Sequence, residues 1–99
     1  MPEAIWFISY KLKKSTSVEE FLLASKKCHD EVLSKQAGFI SWEVLRDGDT
    51  RVDFVKWETV EDTKNGETAG ANNPASHEFY SFINMNTCKT QLYFVEKYR

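Results

Sequence analysis

The sequence lacks the features that mark several large classes of protein. Its two cysteines, Cys28 and Cys88, stand 60 positions apart with no metal-ligand spacing, and two are too few for a disulfide framework. No apolar run approaches the roughly 20 residues that a bilayer-crossing helix needs. The first residues lack the basic stretch and the small-residue cleavage site of a signal peptide. We therefore expect a cytoplasmic protein with two reduced thiols and no membrane partner.

An excess of charge of one sign is also missing. Thirteen basic and 15 acidic residues are interspersed and leave a net charge of −2, so there is no basic stripe to neutralise the phosphates of a nucleic acid. The sequence contains no glycine-rich phosphate loop, no metal-ligand spacing and no catalytic triad motif. These absences predict a protein that binds no nucleic acid, holds no metal and needs no cofactor.

The sequence does contain enough apolar material for one core. Hydrophobic residues make up 41% of the chain and aromatic residues 14%. A chain of 99 residues is expected to form one domain, because two separate cores would each be too small to be stable. We therefore treat residues 1–99 as a single domain.

Periodicity and capping signals divide the chain into strands and helices. Ala4–Leu12 is dense in β-branched and aromatic residues and is predicted to be a strand. Ser17 and Glu20 form a capping box that begins a helix, and Gly38 is predicted to stop it. A second helix is predicted to open after Thr59, where acidic residues suit the positive end of the helix dipole.

The remaining signals complete the pattern of elements. The pair Asp47-Gly48 lies in a short polar loop between two β-rich runs and is typical of a hairpin turn. The pair Asn73-Pro74 caps and restarts the second helix. Three further strands are predicted over 39–46, 51–58 and 87–98. The order β-α-β-β-α-β predicts an α+β, ferredoxin-like fold with a four-stranded antiparallel sheet and helices on one face.

The predicted sheet has apolar residues on both faces. The first strand carries Ile5 and Phe7 on one side and larger apolar groups on the other. Helices can cover only one face, and an exposed apolar face of this size usually marks an interface. The sequence therefore predicts a homodimer, paired sheet to sheet as a dimeric α/β barrel. A merely apolar face, or one covered by the C-terminal tail, stays open as an alternative. The larger groups on the other side of the first strand are Trp6, Ile8, Tyr10 and Leu12. The residues of the next two strands that are predicted to add to the uncovered apolar face are Trp42, Val44, Phe54, Val55 and Trp57.

The segment 60–72 is poor in large apolar side chains and includes Gly66 and Gly70. Such a segment cannot fill the space above an aromatic-rich sheet, so it predicts a ligand pocket between the segment and the sheet. A flexible connector with no cavity beneath it stays open as the alternative.

Candidate site residues follow from helical phase and strand composition. His29 lies near the centre of the apolar stripe of the first helix and is the predicted acid–base group, although a histidine satisfied at the core margin is a common alternative. His77 lies on the opposite side of its helix from the apolar face. The residues predicted to line the pocket are Phe7, Ser9, Trp57 and Phe79. The carboxylates predicted to lie on a solvated edge are Glu43, Asp47, Asp49 and Asp53.

Three segments carry a resemblance to a known family. They are Ala-Gly-Phe-Ile-Ser-Trp-Glu at 37–43, Val-Lys-Trp-Glu-Thr-Val-Glu-Asp at 55–62, and Asn-Pro-Ala-Ser-His-Glu-Phe at 73–79. With them the chain resembles the antibiotic-biosynthesis-monooxygenase-like family of the dimeric α/β barrel superfamily, over nearly its whole length. The resemblance implies the same fold. It also implies one of two activities, cofactor-free oxidation of aromatic polyketide-like substrates or heme degradation.

The heme-degrading members use an asparagine on the first strand, a tryptophan in the second helix and a histidine ligand. Ser9 stands at the first position, Gly66 lies near the second, and His77 lies about two residues from the third. The resemblance therefore favours a small-molecule-binding dimeric barrel, acting as a cofactor-independent monooxygenase on an aromatic substrate, over a heme-degrading enzyme. A non-catalytic ligand-binding or stress-response barrel is the alternative.

Overall fold

A computed structural model describes residues 2–99 and contains one antiparallel sheet with helices packed on one face. The sheet order is β2-β3-β1-β4. The strands are β1 Ala4–Leu12, β2 Phe39–Asp47, β3 Thr50–Trp57 and β4 Ile83–Phe94. The helices are α1 Val18–Glu31, α2 Val60–Ala71 and α3 Pro74–Ser81, with a 3-10 turn at Leu33–Lys35. The predicted α+β, ferredoxin-like fold is confirmed.

Each helix begins where the sequence provides a capping side chain. Ser17 and Thr59 each accept a hydrogen bond from the backbone N–H three residues later, both at 3.2 Å. The Asn73 side chain accepts one from the N–H two residues later, at 2.9 Å, and Pro74 occupies the first turn of α3. These bonds satisfy N–H groups that have no partner inside the helix, so short polar signals fix all three starts.

Two turns use glycines in the left-handed region. Gly48 has φ +59° in the hairpin between β2 and β3, and Gly38 has φ +80° just before β2. The prediction that Gly38 ends α1 is wrong. The helix stops at Glu31, and the 3-10 turn lies between it and Gly38. A Cβ at Gly38 would lie 1.9 Å from a carboxylate oxygen of Asp62, so this glycine also lets α2 approach the loop.

The predicted start of the last strand is wrong by four residues. β4 begins at Ile83, which pairs with Leu12 and is 1% exposed, whereas 87–98 was predicted. A register shift separates Lys11↔Asn84 from Ser9↔Lys89, so β4 bulges opposite this part of β1. A bulge breaks strict alternation of side chains, which is why the polar residues after Ile83 did not indicate a strand.

The largest aromatic side chains lie on the helix side of the sheet. Trp6, Tyr10, Val55 and Trp57 are all less than 9% exposed and belong to the core cluster. Trp42 and Val44 are partly buried against the same cluster. The sequence prediction that several of these residues add to the outer face is therefore corrected. The reason is the register, which places Trp42 opposite Val55 and Phe39 opposite Trp57.

The outer face of the sheet carries a smaller apolar patch. Phe7 pairs with Phe54, Ser9 with Val52, and the Phe7 ring lies 6.0 Å from the ring of Tyr93. The C-terminal segment reaches only one end of this face, where Lys56 Nζ lies 4.6 Å from the centroid of the Tyr98 ring. No helix covers the face within the described residues, 2–99.

The helices are short. α1 is the longest, with 14 residues. Among the residues that the structure describes, no helix combines the length and the apolar character needed to cross a membrane.

Candidate functional site

A cavity of about 200 Å³ lies between the sheet and the α2–α3 pair. Its floor includes Trp6 and Ile8 of β1, and its roof includes Gly66 and Gly70 of α2. The cavity therefore lies where the lack of bulk in 60–72 predicted it. Only Thr63 and Gly66 are buried in α2, so this helix covers the cavity without filling it.

Gly66 lets α2 lie directly on two tryptophans. A Cβ there would be 2.4 Å from Cη2 of Trp57 and 3.2 Å from Cη2 of Trp6. At Gly70 the added atom would meet only Ser76, with its Oγ at 3.4 Å, which is ordinary contact. The roof is therefore tightly packed at Gly66 and less constrained at Gly70, which also lines the cavity.

Aromatic rings form much of the cavity wall. Trp42 and Phe79 meet edge to face, with centroids 5.3 Å apart and planes at 90°. Trp6 meets the buried Trp57 at 5.0 Å and 63°. Tyr80 and Trp6 also line the cavity. Such edge-to-face pairs hold rings in fixed orientations, so the wall has a defined shape.

Among residues 2–99, Asp53 is the one buried carboxylate of the wall, with 3% of the residue exposed. The hydroxyl of Tyr10 donates a 2.7 Å hydrogen bond to its Oδ1. Burial raises the pKa of Asp53 to about 7, and the bond from Tyr10 partly offsets that rise. A carboxyl group with this pKa can accept or release a proton near neutrality, as a general acid–base group must.

Trp42 provides a hydrogen-bond donor beside this carboxyl group. Its indole N–H is buried and has no hydrogen-bond partner among residues 2–99. It lies near enough to Asp53 to help lower the pKa of that group, yet its geometry falls short of a hydrogen bond. A buried, unpaired donor costs on the order of 1–3 kcal/mol. A ligand oxygen that reached this N–H would recover that cost.

The thiol in the wall is suited to packing. Cys28 is 4% exposed, and its Sγ lies 3.5 Å from Oγ of Ser76. Burial raises the pKa of Cys28, only partly offset by Ser76, and the negative charge of Asp53 raises it further. The thiol form therefore prevails near neutrality, and a thiolate nucleophile is not available here.

The structure places the predicted lining residues on two different faces. Phe79 lines the cavity, and Trp57 is fully buried beside it, under Gly66. Phe7 and Ser9 lie on the outer face of the sheet, so the prediction that they line the same pocket is wrong. Successive residues of a strand point to opposite faces, and the even-numbered residues of β1 are the ones beneath the helices.

His29 lies outside the cavity. Its Nδ1 is 2.7 Å from Oδ1 of Asp30, its side chain is 39% exposed, and its ring packs beside Phe39 and Trp42. It is not among the residues that line the cavity. The histidine therefore approaches the core margin, as its helical phase predicted, without reaching the space where a ligand would bind.

Asp53 was missed because its surroundings in sequence are charged. It was predicted to lie on a solvated edge, yet it shares the helix-facing side of β3 with Arg51, Val55 and Trp57, all buried. The usable signal was the two-residue period that ends in Trp57. That period places Asp53 on the same side as a residue that must be buried.

The residues present do not form a heme site. Gly66 lines the cavity, Ser9 lies on the other face of the sheet, and Nε2 of His77 donates to the carbonyl of Ala71 at 2.8 Å. The three positions therefore do not converge on one space. Within residues 2–99, no group of three His, Cys, Asp or Glu side chains clusters as metal ligands.

The fold has many relatives among solved structures. SnoaB, a cofactor-independent oxygenase from Streptomyces nogalater, superposes with a TM-score of 0.80 at 13% identity, covering 99% of this chain and 97% of that chain. An antibiotic biosynthesis monooxygenase, so named on a provisional basis, from Bacillus cereus superposes at 0.67 with 22% identity, covering 100% and 96%. A conserved protein from Methanosarcina mazei Go1 superposes at 0.72 with 14% identity, covering 94% and 92%.

No family model matches the sequence, and no curated protein matches it. At these low identities the structural likeness establishes the fold. The chain is thus a ferredoxin-like α+β domain of the kind found in the antibiotic biosynthesis monooxygenases. The resemblance carried by the sequence motifs is confirmed at that level.

Proposed function

We propose that this protein is a cofactor-independent monooxygenase that oxidises a small phenol with dioxygen. The carrying observation is the buried Asp53, whose pKa is raised to about 7 and which faces an aromatic-walled cavity. The similarity in fold to SnoaB, named as a cofactor-independent oxygenase, supports the same reaction class. It contributes no residue roles at 13% identity.

The reaction needs only a base and dioxygen. Asp53 accepts the phenol proton, and the phenolate transfers an electron to dioxygen before the two radicals join at the para carbon. The resulting peroxide takes a proton from Asp53. Asp53 then removes the C–H proton of the para carbon, and the O–O bond breaks. The departing hydroxide takes that proton from Asp53 and leaves as water, which returns Asp53 to its ionised form. The products are a para-quinone, which keeps one oxygen atom, and water, which keeps the other.

The aromatic wall and the indole donor suit these steps. Trp42 lines the cavity and its indole N–H is unpaired, so we propose that it binds the negative oxygen that develops, which is the role of a preorganised donor in a water-poor site. Burial of Asp53 keeps its proton affinity close to what the reaction needs near neutrality.

The cavity volume sets the size of the substrate. Cavities of about 150 Å³ lined by apolar side chains hold benzene, and this one measures about 200 Å³. A single substituted ring fits that space, whereas a fused three-ring compound does not fit without movement of α2.

Oxygen uptake with a phenol whose para carbon is free tests the proposal. The matched variants are Asp53→Asn in the cavity, Asp49→Asn in the exposed hairpin turn, and His29→Ala outside the cavity. We expect Asp53→Asn to lose roughly 100-fold or more of the rate, as loss of a general base does, and the other two to keep it. With ¹⁸O₂, one labelled atom should enter the quinone.

Three results would contradict the proposal. Equal uptake by Asp53→Asn and the parent protein would remove Asp53 as the base, and loss of uptake in His29→Ala alone would restore the role predicted from the sequence. Saturable ligand binding with no uptake for any phenol would support the alternative of a non-catalytic binding barrel.

We also propose that two copies pair through the outer face of the sheet. The apolar pairs on that face, such as Phe7 with Phe54, support this. So does the distribution of charge, with Glu43 on β2 at one edge and Lys89 on β4 at the other. We propose that a two-fold axis brings Glu43 of one copy towards Lys89 of the second.

A further inference from the structure

We propose that the cavity selects its ligand by charge, admitting neutral and cationic aromatic compounds and rejecting anionic ones. The inference rests on the proposed function, because it names the class of phenol that the same cavity accepts. It excludes phenols that carry a carboxylate or phosphate group, and it includes those that carry an amine.

The first observation concerns the charged groups of the wall. Asp53 and Glu67 both line the cavity, Asp53 buried in β3 and Glu67 exposed on α2 at the cavity edge. In the described part of the chain, no lysine, arginine or histidine lines it. A cleft lined by charge of one sign concentrates ligands of the opposite sign and repels those of its own sign.

The second observation concerns the nearby cations, none of which reaches the cavity. Arg51 lies over the ring of Phe21, with its guanidinium carbon 5.8 Å from the centroid, and forms no ion pair within residues 2–99. The amine of Lys27 lies 3.4 Å from Glu78, and Nδ1 of His29 faces Asp30. An anionic ligand would therefore enter without a cation to pair with its charge.

The third observation concerns the aromatic wall. Trp6, Trp42, Phe79 and Tyr80 present ring surfaces to the cavity. The face of an aromatic ring attracts cations, most strongly when water is excluded. Rings and carboxylates together therefore favour an ammonium group, whereas an uncharged ring loses nothing by entering.

An anionic ligand would also interfere with the chemistry. A second negative charge near Asp53 favours the protonated form of that carboxyl group, and a protonated Asp53 cannot accept the phenol proton. The charge of Asp53 acts on Tyr10, Cys28, Tyr80 and Cys88, and each of these is neutral or negative. The cation Arg51 acts on Tyr10 but does not line the cavity. None of the four acidic groups can offset the added charge, and Arg51 lies outside the space that the ligand would occupy.

Three phenols of similar size test the inference by binding alone. They are para-ethylphenol, which is neutral, tyramine, which is cationic, and para-hydroxyphenylacetate, which is anionic. Their para carbons are substituted, so none can be converted to a quinone, and quenching of tryptophan fluorescence near pH 8 reports binding without turnover. We expect the anion to bind about tenfold or more weakly than the neutral phenol, and tyramine at least as tightly as the neutral phenol.

Matched variants identify the groups responsible. Glu67→Gln should narrow the gap between the neutral and the anionic phenol by a few-fold, and Asp53→Asn should narrow it further. Glu61→Gln, an exposed position at the start of α2, should leave the gap unchanged. Equal binding of the anion and the neutral phenol by the parent protein would overturn the inference, as would a gap that persists when Glu67→Gln and Asp53→Asn are combined in one protein.

Failure of the inference can be told apart from failure of the proposed function. If the anionic phenol binds more weakly than the neutral and cationic ones but no phenol supports oxygen uptake, the inference about charge holds and the proposed monooxygenase activity is wrong. If oxygen uptake is fastest with the anion meta-hydroxyphenylacetate, whose para carbon is free, the inference about charge is wrong and the proposed monooxygenase activity holds.

Discussion

The Tyr10 hydroxyl donates a 2.7 Å hydrogen bond to Asp53 from the neighbouring strand of the sheet. The bond is buried and joins residues 43 positions apart in sequence. The two groups of this pair differ widely in pKa. Burial and the charge of Asp53 raise the pKa of Tyr10 far above its ordinary value, so the tyrosine keeps its proton, and Asp53 is the member that titrates near neutrality.

Asp53 should make the stability of the fold depend on pH. Its pKa is about 7 in the folded protein against 3.8 ordinarily, so between those values the folded chain holds a proton that the unfolded chain has released. The contribution of the Asp53 proton to the free energy of unfolding is therefore complete below about pH 4 and is lost as the pH rises through 7. Over this range the free energy of unfolding falls by at most about 1.4 kcal/mol per pH unit.

Chemical unfolding across this pH range measures the effect. We expect Asp53→Asn to abolish the slope between about pH 4 and pH 7, because an amide does not titrate, whereas Asp49→Asn should retain it. The same slope in both variants would show that another group is responsible.

Tyr10→Phe should move the pH dependence of oxygen uptake to higher pH. The bond from Tyr10 stabilises the ionised form of Asp53, so its loss raises the pKa of Asp53 further. The part of the profile in which the rate increases with pH should move to higher pH, and the rate reached at high pH should be unchanged. Loss of the bond should also lower the free energy of unfolding by about 1 kcal/mol. An unchanged pH profile would show that the activity does not depend on the Tyr10–Asp53 pair.

Gly66→Ala and Gly70→Ala should have opposite effects. The first places a Cβ 2.4 Å from Trp57 and should destabilise the fold by about 1–3 kcal/mol. The second makes only ordinary contact with Ser76, and alanine is the better helix former by up to about 1 kcal/mol. Its stability should be unchanged or higher, while its affinity for ring compounds falls because the methyl group enters the cavity. Thermal melting and fluorescence titration measure the two effects.

Phe54→Asp should prevent pairing of two copies. Phe54 lies on the outer face opposite Phe7, and a charge there would have no partner in a sheet-to-sheet interface. Leu23→Asp is the control, because Leu23 is 67% exposed on α1, away from that face. Light scattering coupled to size-exclusion chromatography should give a dimer for the parent and the control and a monomer for Phe54→Asp. A parent protein that elutes as a monomer would end the pairing proposal.

The fold was predictable wherever a short local signal determines the structure. The capping side chains of Ser17, Thr59 and Asn73 act within three residues, so the helix starts followed from sequence. The cavity was predictable too, because a segment with Gly66 and Gly70 cannot supply bulk wherever the sheet lies.

The site could not be predicted in the same way because it depends on pairing between strands. The prediction of Phe7 and Ser9 as lining residues used the composition of β1 without knowing which alternate set faces the helices. The two-residue period ending in Trp57 indicates which face Asp53 shares, but its partner Tyr10 lies on the neighbouring strand, 43 positions away. No signal within a few residues of either side chain predicts that pairing.

The attachment of α2 has a consequence for how a ligand enters and leaves. The helix is held at its start by the Thr59 cap and by the close approach of Asp62 to Gly38, while only Thr63 and Gly66 are buried along its length. Segments with few buried contacts open at a small fraction of the free energy of global unfolding. Amide protons of α2 should therefore exchange faster than those of the central strands β1 and β3. Local opening of α2 would then set the residence time of a ligand in the cavity, while the sheet beneath the helix stays folded.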